Sequence, residues 1–324
     1  MHAQVLILGS GPAGYTASVY TALAGLKTIQ LMGTLPGGQI TLSHQIENFS
    51  GHRSISGSDL SDIFKKQAEY AGVHLLSEQA RQVNLSTRPF SIQTTADTLL
   101  TADALIIATG TSARWLNVCG EEQFRGHGIS VCATCDGFFY RGKTVCVIGG
   151  GNTAAYEALF LAQTSSKVYL IYTEAILQAE QNLIKKIKQT QNITLIPNTQ
   201  VLEFSGTQKL EYIHLKNNLT HKKYALETDG VFEAIGHIPN SDLFQDQLQI
   251  DKNGYIITDP YTKETSIKGV FACGDVQEPL YRQAIVAAGS GCRAALSAKH
   301  YLLNQNVRLK RNLYPTSPED ETVG

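Results

Sequence analysis

Two thiols three residues apart, Cys132 and Cys135, with a carboxylate directly after them at Asp136, form the most reactive stretch of the chain. This spacing suits a pair of sulfurs that close into a disulfide and reopen, and it also supplies half of a zinc site. Zinc takes four ligands. No second CxxC or CxxH pattern exists in the sequence, so a redox pair is expected and no metal is assigned. The other four cysteines, Cys119, Cys146, Cys273 and Cys292, are scattered, and free cysteine behaves as a small buried hydrophobe; they are expected in the core. Six cysteines are too few for a disulfide-framed secreted fold.

A second chemistry is written in glycine. The run Val5-Leu6-Ile7-Leu8 leads into Gly9-Ser10-Gly11-Pro12-Ala13-Gly14 and then an Ala-rich stretch through Leu26. The run Val145-Cys146-Val147-Ile148 leads into Gly149-Gly150-Gly151-Asn152-Thr153-Ala154 and a helical stretch through Gln163. Both read as strand, tight turn and helix. A pyrophosphate sits against backbone at a helix N-terminus, where free N–H groups and the helix dipole favour negative charge. A side chain at Gly11 or Gly151 would stand in that space.

These sites need elements to hold them. Ala104 to Ala108 reads as a strand ending in Thr109-Gly110, and Gly230 to Gly236 as one ending beside His237. Gly269 to Asp275 precedes a small-residue helix from Arg282 to Tyr301. The tail from Asn304, with an Arg-Leu-Lys-Arg cluster and a Pro-Glu-Asp-Glu end, reads as solvated and flexible. The pattern predicts an α/β chain of two Rossmann-like, three-layer nucleotide-binding domains.

The 324 residues fit about two domains. With 27 Lys and Arg against 28 Asp and Glu, no field steers a polyanion, so no nucleic-acid partner is expected. No apolar run reaches membrane-spanning length and the N-terminus lacks a basic leader, which predicts a cytoplasmic protein without a membrane partner.

Taken together, residues 3 to about 303 resemble the low-molecular-weight thioredoxin reductases. The resemblance rests on Gly9 to Gly14, Gly37-Gly38-Gln39, Glu47-Asn48-Phe49, Ala108-Thr109-Gly110, the hexapeptide Cys132-Ala133-Thr134-Cys135-Asp136-Gly137, Gly274-Asp275 and Arg282-Gln283-Ala284. It implies an FAD domain built from residues 1–114 and 242–303, an inserted pyridine-nucleotide-type domain at 115–241 carrying the cysteines, and a tail at 304–324. It also implies a homodimer and hinges at the two crossings. Cys135 would face the flavin, Cys132 would attack the disulfide of thioredoxin or a thioredoxin-like protein, and Asp136 would manage the protons of the leaving thiolates. FAD would be held by Gly9, Gly11, Pro12, Ala13, Gly14, Gly38, Gln39, Asn48, Thr109, Gly110, Gly274, Asp275, Arg282, Gln283 and Ala284. Leu35 departs from the acidic residue that relatives place near the adenosine ribose.

The second nucleotide site departs further. NADPH-dependent members carry an HRRxxxR stretch whose arginines clamp the 2′-phosphate. Here it reads Tyr172-Thr173-Glu174-Ala175-Ile176-Leu177-Gln178, without arginine, and Tyr156 replaces a glutamate near the nicotinamide. The candidate site comprises Gly149, Gly151, Asn152, Thr153, Tyr156, Tyr172, Glu174, Gly236 and His237. Three readings compete: Glu174 bonds an adenosine ribose and NADH is the donor; the turn is a relic and ferredoxin or reduced flavin delivers electrons; or the cradle holds a second FAD against Tyr172 or Tyr156. The expectation adopted is a donor other than a nicotinamide, namely ferredoxin, reduced flavin or a second bound FAD, with an NADH- or NADPH-dependent reductase as the alternative. The rival of another class is a flavoprotein redox sensor that does not turn over.

Overall fold

A computed structural model describes residues 1–43 and 45–313, with side chains of the last helix described to residue 305. It divides into two units, one of residues 1–112 with the chain from Pro239 onward, the other Ala113–Ile238.

The first unit opens with β1 (His2–Leu8), α1 (Pro12–Leu23) and β2 (Thr28–Leu31). Next come α2 (Gly57–Tyr70), β3 (His74–Leu76), β4 (Ala80–Asn84), β5 (Phe90–Thr94) and β6 (Leu99–Ile107). The sheet order is β3-β2-β1-β6-β5-β4. β1 pairs in parallel with β2 and β6, which buries its whole Val5–Leu8 run and explains why that run is apolar without alternation. The crossing β7 (Thr111–Ala113) then leaves this unit.

The second unit carries α3 (Glu121–Phe124), β8 (Ile129–Ser130), α4 (Ala133–Asp136), β9 (Thr144–Ile148) and α5 (Asn152–Leu161). β10 (Lys167–Ile171), α6 (Gln181–Gln189) and β11 (Ile193–Ile196) follow. Its remaining strands are β12 (Thr199–Gly206), β13 (Leu210–Asn217), β14 (Lys223–Glu227) and β15 (Gly230–Glu233). A parallel sheet runs β11-β10-β9-β15-β8, and β12-β13-β14 form an antiparallel one. Return is through β16 (His237–Pro239), which pairs with β7.

Back in the first unit, β17 (Val270–Ala272) adds to β6 in parallel beyond the stretch of β6 that pairs with β5. The chain finishes in α7 (Ala284–Leu313). Its small residues let it lie on α1: a Cβ at Gly291 would come 2.2 Å from the Ala13 carbonyl oxygen. The helix continues through residues 304–313, part of the stretch expected as solvated tail, because no glycine or proline interrupts it before Pro315. Residues 314–324 of that tail lie outside the described residues.

Each unit has its own core. Phe90, Phe244, Leu100 and Leu105 fill one side of the first sheet, and Val145, Val147, Leu161 and Phe232 one side of the second. Each such side chain contributes about 1.5–3 kcal/mol by leaving water. Cys146 and Cys273 are buried as expected, whereas Cys292 is half-buried and Cys119 is exposed. Cys119 sits in a loop bridged to Glu203 rather than on a strand face, so nothing covers it. No helix among the described residues is long and apolar enough to cross a membrane.

Candidate active site

Strand β8 ends at buried Ser130, and two residues later the chain turns into α4, with Cys132 at its start and Cys135 within it. The two cysteines form a disulfide with their Cα atoms 5.3 Å apart, and both are half-buried. Ser130 organises the turn. Its hydroxyl accepts from the Cys132 N–H at 3.1 Å and donates to Asp136 Oδ2 at 2.5 Å. The Asp136 N–H in turn donates to the Cys132 carbonyl, so the carboxylate is fixed to the backbone that carries both sulfurs. Thr134, exposed between them, places its hydroxyl 3.4 Å from Cys132 Sγ. Beyond the pair, Gly137 packs on Phe160 and Leu161 of α5, and Phe138 and Phe139 remain exposed. Tyr140 turns inward against Phe232, and burial pushes its phenol up to about 12. Serine is too common for Ser130 to stand out in the sequence; its position two residues before Cys132 was the only signal.

In the first unit, three motifs distant in sequence converge on the start of α1. Gly9 has φ of +108°, and a Cβ there would come 2.2 Å from the Ala108 carbonyl oxygen, so strand, turn and the end of β6 meet without side chains. Gly38 approaches Gly11, with a Cβ at Gly38 lying 3.1 Å from the Gly11 Cα, and Gly274 approaches Ala13 at 2.8 Å. Over Gly11 itself the space is open, the nearest atom to a Cβ being the Gly37 carbonyl oxygen at 4.0 Å. No side chain caps α1. Pro12, at the first helical position, needs no acceptor, while the N–H groups of Ala13 and Gly14 face the first turn as donors.

Asp275 follows Gly274, and its carboxyl is pushed up to about 6, chiefly by burial, with Arg282 opposing and Glu278 adding to the rise. No hydrogen-bond donor among the described residues reaches that carboxyl. Asn48 and Gln283, 235 residues apart, are joined by an Nδ2–Oε1 bond of 3.0 Å, which brings the segment that follows the short 3-10 helix Gln39–Leu42 to the segment of Arg282 and Ala284 at the start of α7. Thr109 and Gly110 are joined to Asn240: the Thr109 hydroxyl donates to the Asn240 carbonyl, Asn240 Nδ2 donates back to the Thr109 carbonyl, and Gly110 accepts from the Asn240 N–H. An uncapped helix start, an open cradle and an acceptor awaiting a hydroxyl suit the diphosphate and sugar-alcohol chain of FAD.

The second unit repeats the turn. α5 lacks a side-chain cap, and nothing lies within 4 Å of a Cβ built on Gly151. Tyr172 is buried under the turn and Glu174 is exposed beside it, with its Oε2 lying 3.2 Å from a Cβ built on Gly150. Thr153 is half-buried in the first turn of α5, and Tyr156 is exposed on the same helix. Gly236, with φ of +107°, and half-buried His237 follow β15, away from Glu174 in sequence, where Gly236 accepts from the Arg114 N–H. Sequence reasoning missed Glu180, whose N–H donates to Asn152 Oδ1 at 2.8 Å and whose carboxylate accepts from Asn152 Nδ2 at 3.2 Å. No Lys or Arg stands from Tyr172 to Ile184, the stretch that would meet a 2′-phosphate.

The profile of the pyridine nucleotide-disulphide oxidoreductase family matches residues 3–291. The thioredoxin reductase of Vibrio cholerae is 44% identical over 314 residues, spanning 94% of this chain and 98% of its own. That of Rickettsia felis is 42% identical over 303 residues, spanning 92% and 98%. The solved thioredoxin reductase of Giardia duodenalis is 38% identical with a TM-score of 0.89, covering 93% of this chain and 99% of its own.

Proposed function

For this chain, which belongs to the pyridine nucleotide-disulphide oxidoreductases as an FAD-dependent enzyme of thioredoxin reductase type, we propose reduction of thioredoxin or a thioredoxin-like protein through Cys132–Cys135, with a donor other than NADPH. The observation that carries the reading is the disulfide itself, half-exposed and held with Asp136 by Ser130.

FAD would be held by Gly11, Ala13, Gly14, Gly38, Asn48, Asp275, Arg282, Gln283 and Ala284, and when bound would supply a two-electron carrier able to open the disulfide. With the pair reduced, the Cys132 thiolate attacks one sulfur of the partner's disulfide, and the partner's other sulfur leaves as a thiol after taking a proton. The Cys135 thiolate then attacks Cys132 Sγ, the mixed disulfide breaks, and the second partner thiol leaves. Two electrons and two protons have moved to the partner, and Cys132–Cys135 is closed again. Asp136 gives a proton at the first departing sulfur, takes the one the Cys135 thiol loses on becoming the attacking thiolate, and passes it to the second departing sulfur, with Ser130 holding its Oδ2 in place. Exposed Phe138 and Phe139 next to the pair offer the aromatic contact a protein partner favours.

The missing cations around Glu174 support the choice of donor. The direct test reduces the flavoprotein with dithionite, removes the excess and adds oxidised thioredoxin. Stoichiometric appearance of thioredoxin thiols is expected; none would defeat the proposal.

A further inference from the structure

We infer that the 149–151 turn takes the adenosine diphosphate half of a dinucleotide whose ribose keeps both hydroxyls, and that Glu174 and Glu180 turn away one bearing a 2′-phosphate. This deepens the reading that the donor is not NADPH and rests on it.

The turn has retained what a diphosphate requires, an uncapped helix start and open space over Gly151. What has changed is the charge beside it. Glu174 lies three residues beyond β10, the strand adjacent to β9, where the ribose of a dinucleotide comes to rest in this fold. A carboxylate there accepts hydrogen bonds from a ribose diol. Against a phosphate dianion it offers only repulsion, with no cation to compensate from Tyr172 to Ile184.

The backbone that carries the Glu174 carboxylate is also held in place before any ligand arrives. The Glu174 carbonyl accepts from the Asn198 N–H at 3.0 Å, and the Tyr172 backbone bonds both Ile196 and Thr199. Further along, the Gln178 N–H donates to the Gly150 carbonyl at 2.8 Å, and Gly151 bridges to Gln178. The two bonds between Asn152 and Glu180 tie the end of this loop to the first residue of α5 and bring a second carboxylate to the turn. A loop whose backbone is already fixed leaves only side-chain rotamers to order on binding, which keeps the ordering cost of selecting the diol small.

Nicotinamide dinucleotides and FAD share this ribose, so the first probe is ADP-ribose, which is redox-inert, against 2′-phospho-ADP-ribose. Calorimetric titration of the FAD-replete full-length protein should show ADP-ribose binding at least about tenfold more tightly, as expected for a hydrogen bond to a charged group. Glu174→Gln, which keeps the shape and removes the charge, should narrow that ratio, and Glu174→Arg should invert it. Equal or tighter binding of the phosphorylated probe, or no binding of ADP-ribose to protein carrying one flavin per chain, overturns the inference. A flavin count near two per chain, falling toward one in Glu174→Arg, identifies FAD as the occupant; a count of one with bleaching by NADH identifies the nicotinamide nucleotide. Thioredoxin reduction by the dithionite-reduced protein uses neither probe, so its failure is separately visible.

Discussion

Removing one sulfur of the pair leaves a thiol that can start an exchange or one that cannot. In Cys135→Ser, Cys132 still attacks a partner disulfide but has no neighbour to resolve the product, so a mixed disulfide with thioredoxin should accumulate on non-reducing gels. Cys132→Ser should trap nothing, both variants should keep their FAD, and turnover should fall on the order of a thousandfold or more in each. If Cys135→Ser reduced thioredoxin at the parent rate, the division of labour between the sulfurs would be wrong. The two cysteines and Asp136 were legible because rare, reactive types stand at a short fixed spacing. Ser130 was not, since its role arises only where the edge strand β8 turns into α4 and aims one hydroxyl at both the Cys132 N–H and Asp136. Exposed Cys119 shows the limit of residue type as a guide to burial.

At the scale of elements, the strand–turn–helix openings separate folding from binding. Gly9→Ala puts a Cβ 2.2 Å from the Ala108 carbonyl oxygen at a φ of +108°, and it should destabilise the protein by about 2 kcal/mol or more in urea unfolding. Gly11→Ala meets nothing closer than 4.0 Å, so the protein should fold as before and lose about tenfold or more in FAD affinity, measured as flavin retained after dialysis. Unchanged flavin content would remove Gly11 from the cradle. The end of β15 makes a different prediction. Glu233 is buried, accepts among the described residues only from the Leu116 N–H, and is pushed up to about 8 by burial first and Glu121 next, against Leu116 and Arg125. Its folded value exceeds its unfolded one, so its contribution is complete at acid pH and is lost as pH rises through about 8. A carboxyl kept protonated in the fold steepens the loss of stability by about 1.4 kcal/mol for each tenfold fall in proton concentration across that window. Glu233→Gln should therefore flatten the decline between about pH 5 and about pH 8 in urea unfolding; parallel pH profiles would show that the carboxyl is ionised throughout. Apolar runs made these strands legible, whereas the Asn152–Glu180 tie spans 28 residues of loop and helix and leaves no periodic trace.

Across the whole molecule, the repeated opening at Gly9 and Gly149 was readable as two nucleotide-type units, and the structure assembles the first from both ends of the chain. The return became visible only when Gly274 met Ala13 and Gln283 met Asn48, contacts that no local pattern encodes. In the second unit, Thr173, Glu174 and Gln178 stand in a stretch without Lys or Arg, which supports the proposed donor other than NADPH, and Glu180 is tied to Asn152 beside them. The most direct measurement is an anaerobic titration of the FAD-loaded protein with NADPH, following the visible flavin band and finishing with dithionite. The expected result is a flavin that stays oxidised at one equivalent of NADPH and bleaches on dithionite. Stoichiometric bleaching by NADPH would contradict the assignment of a different donor.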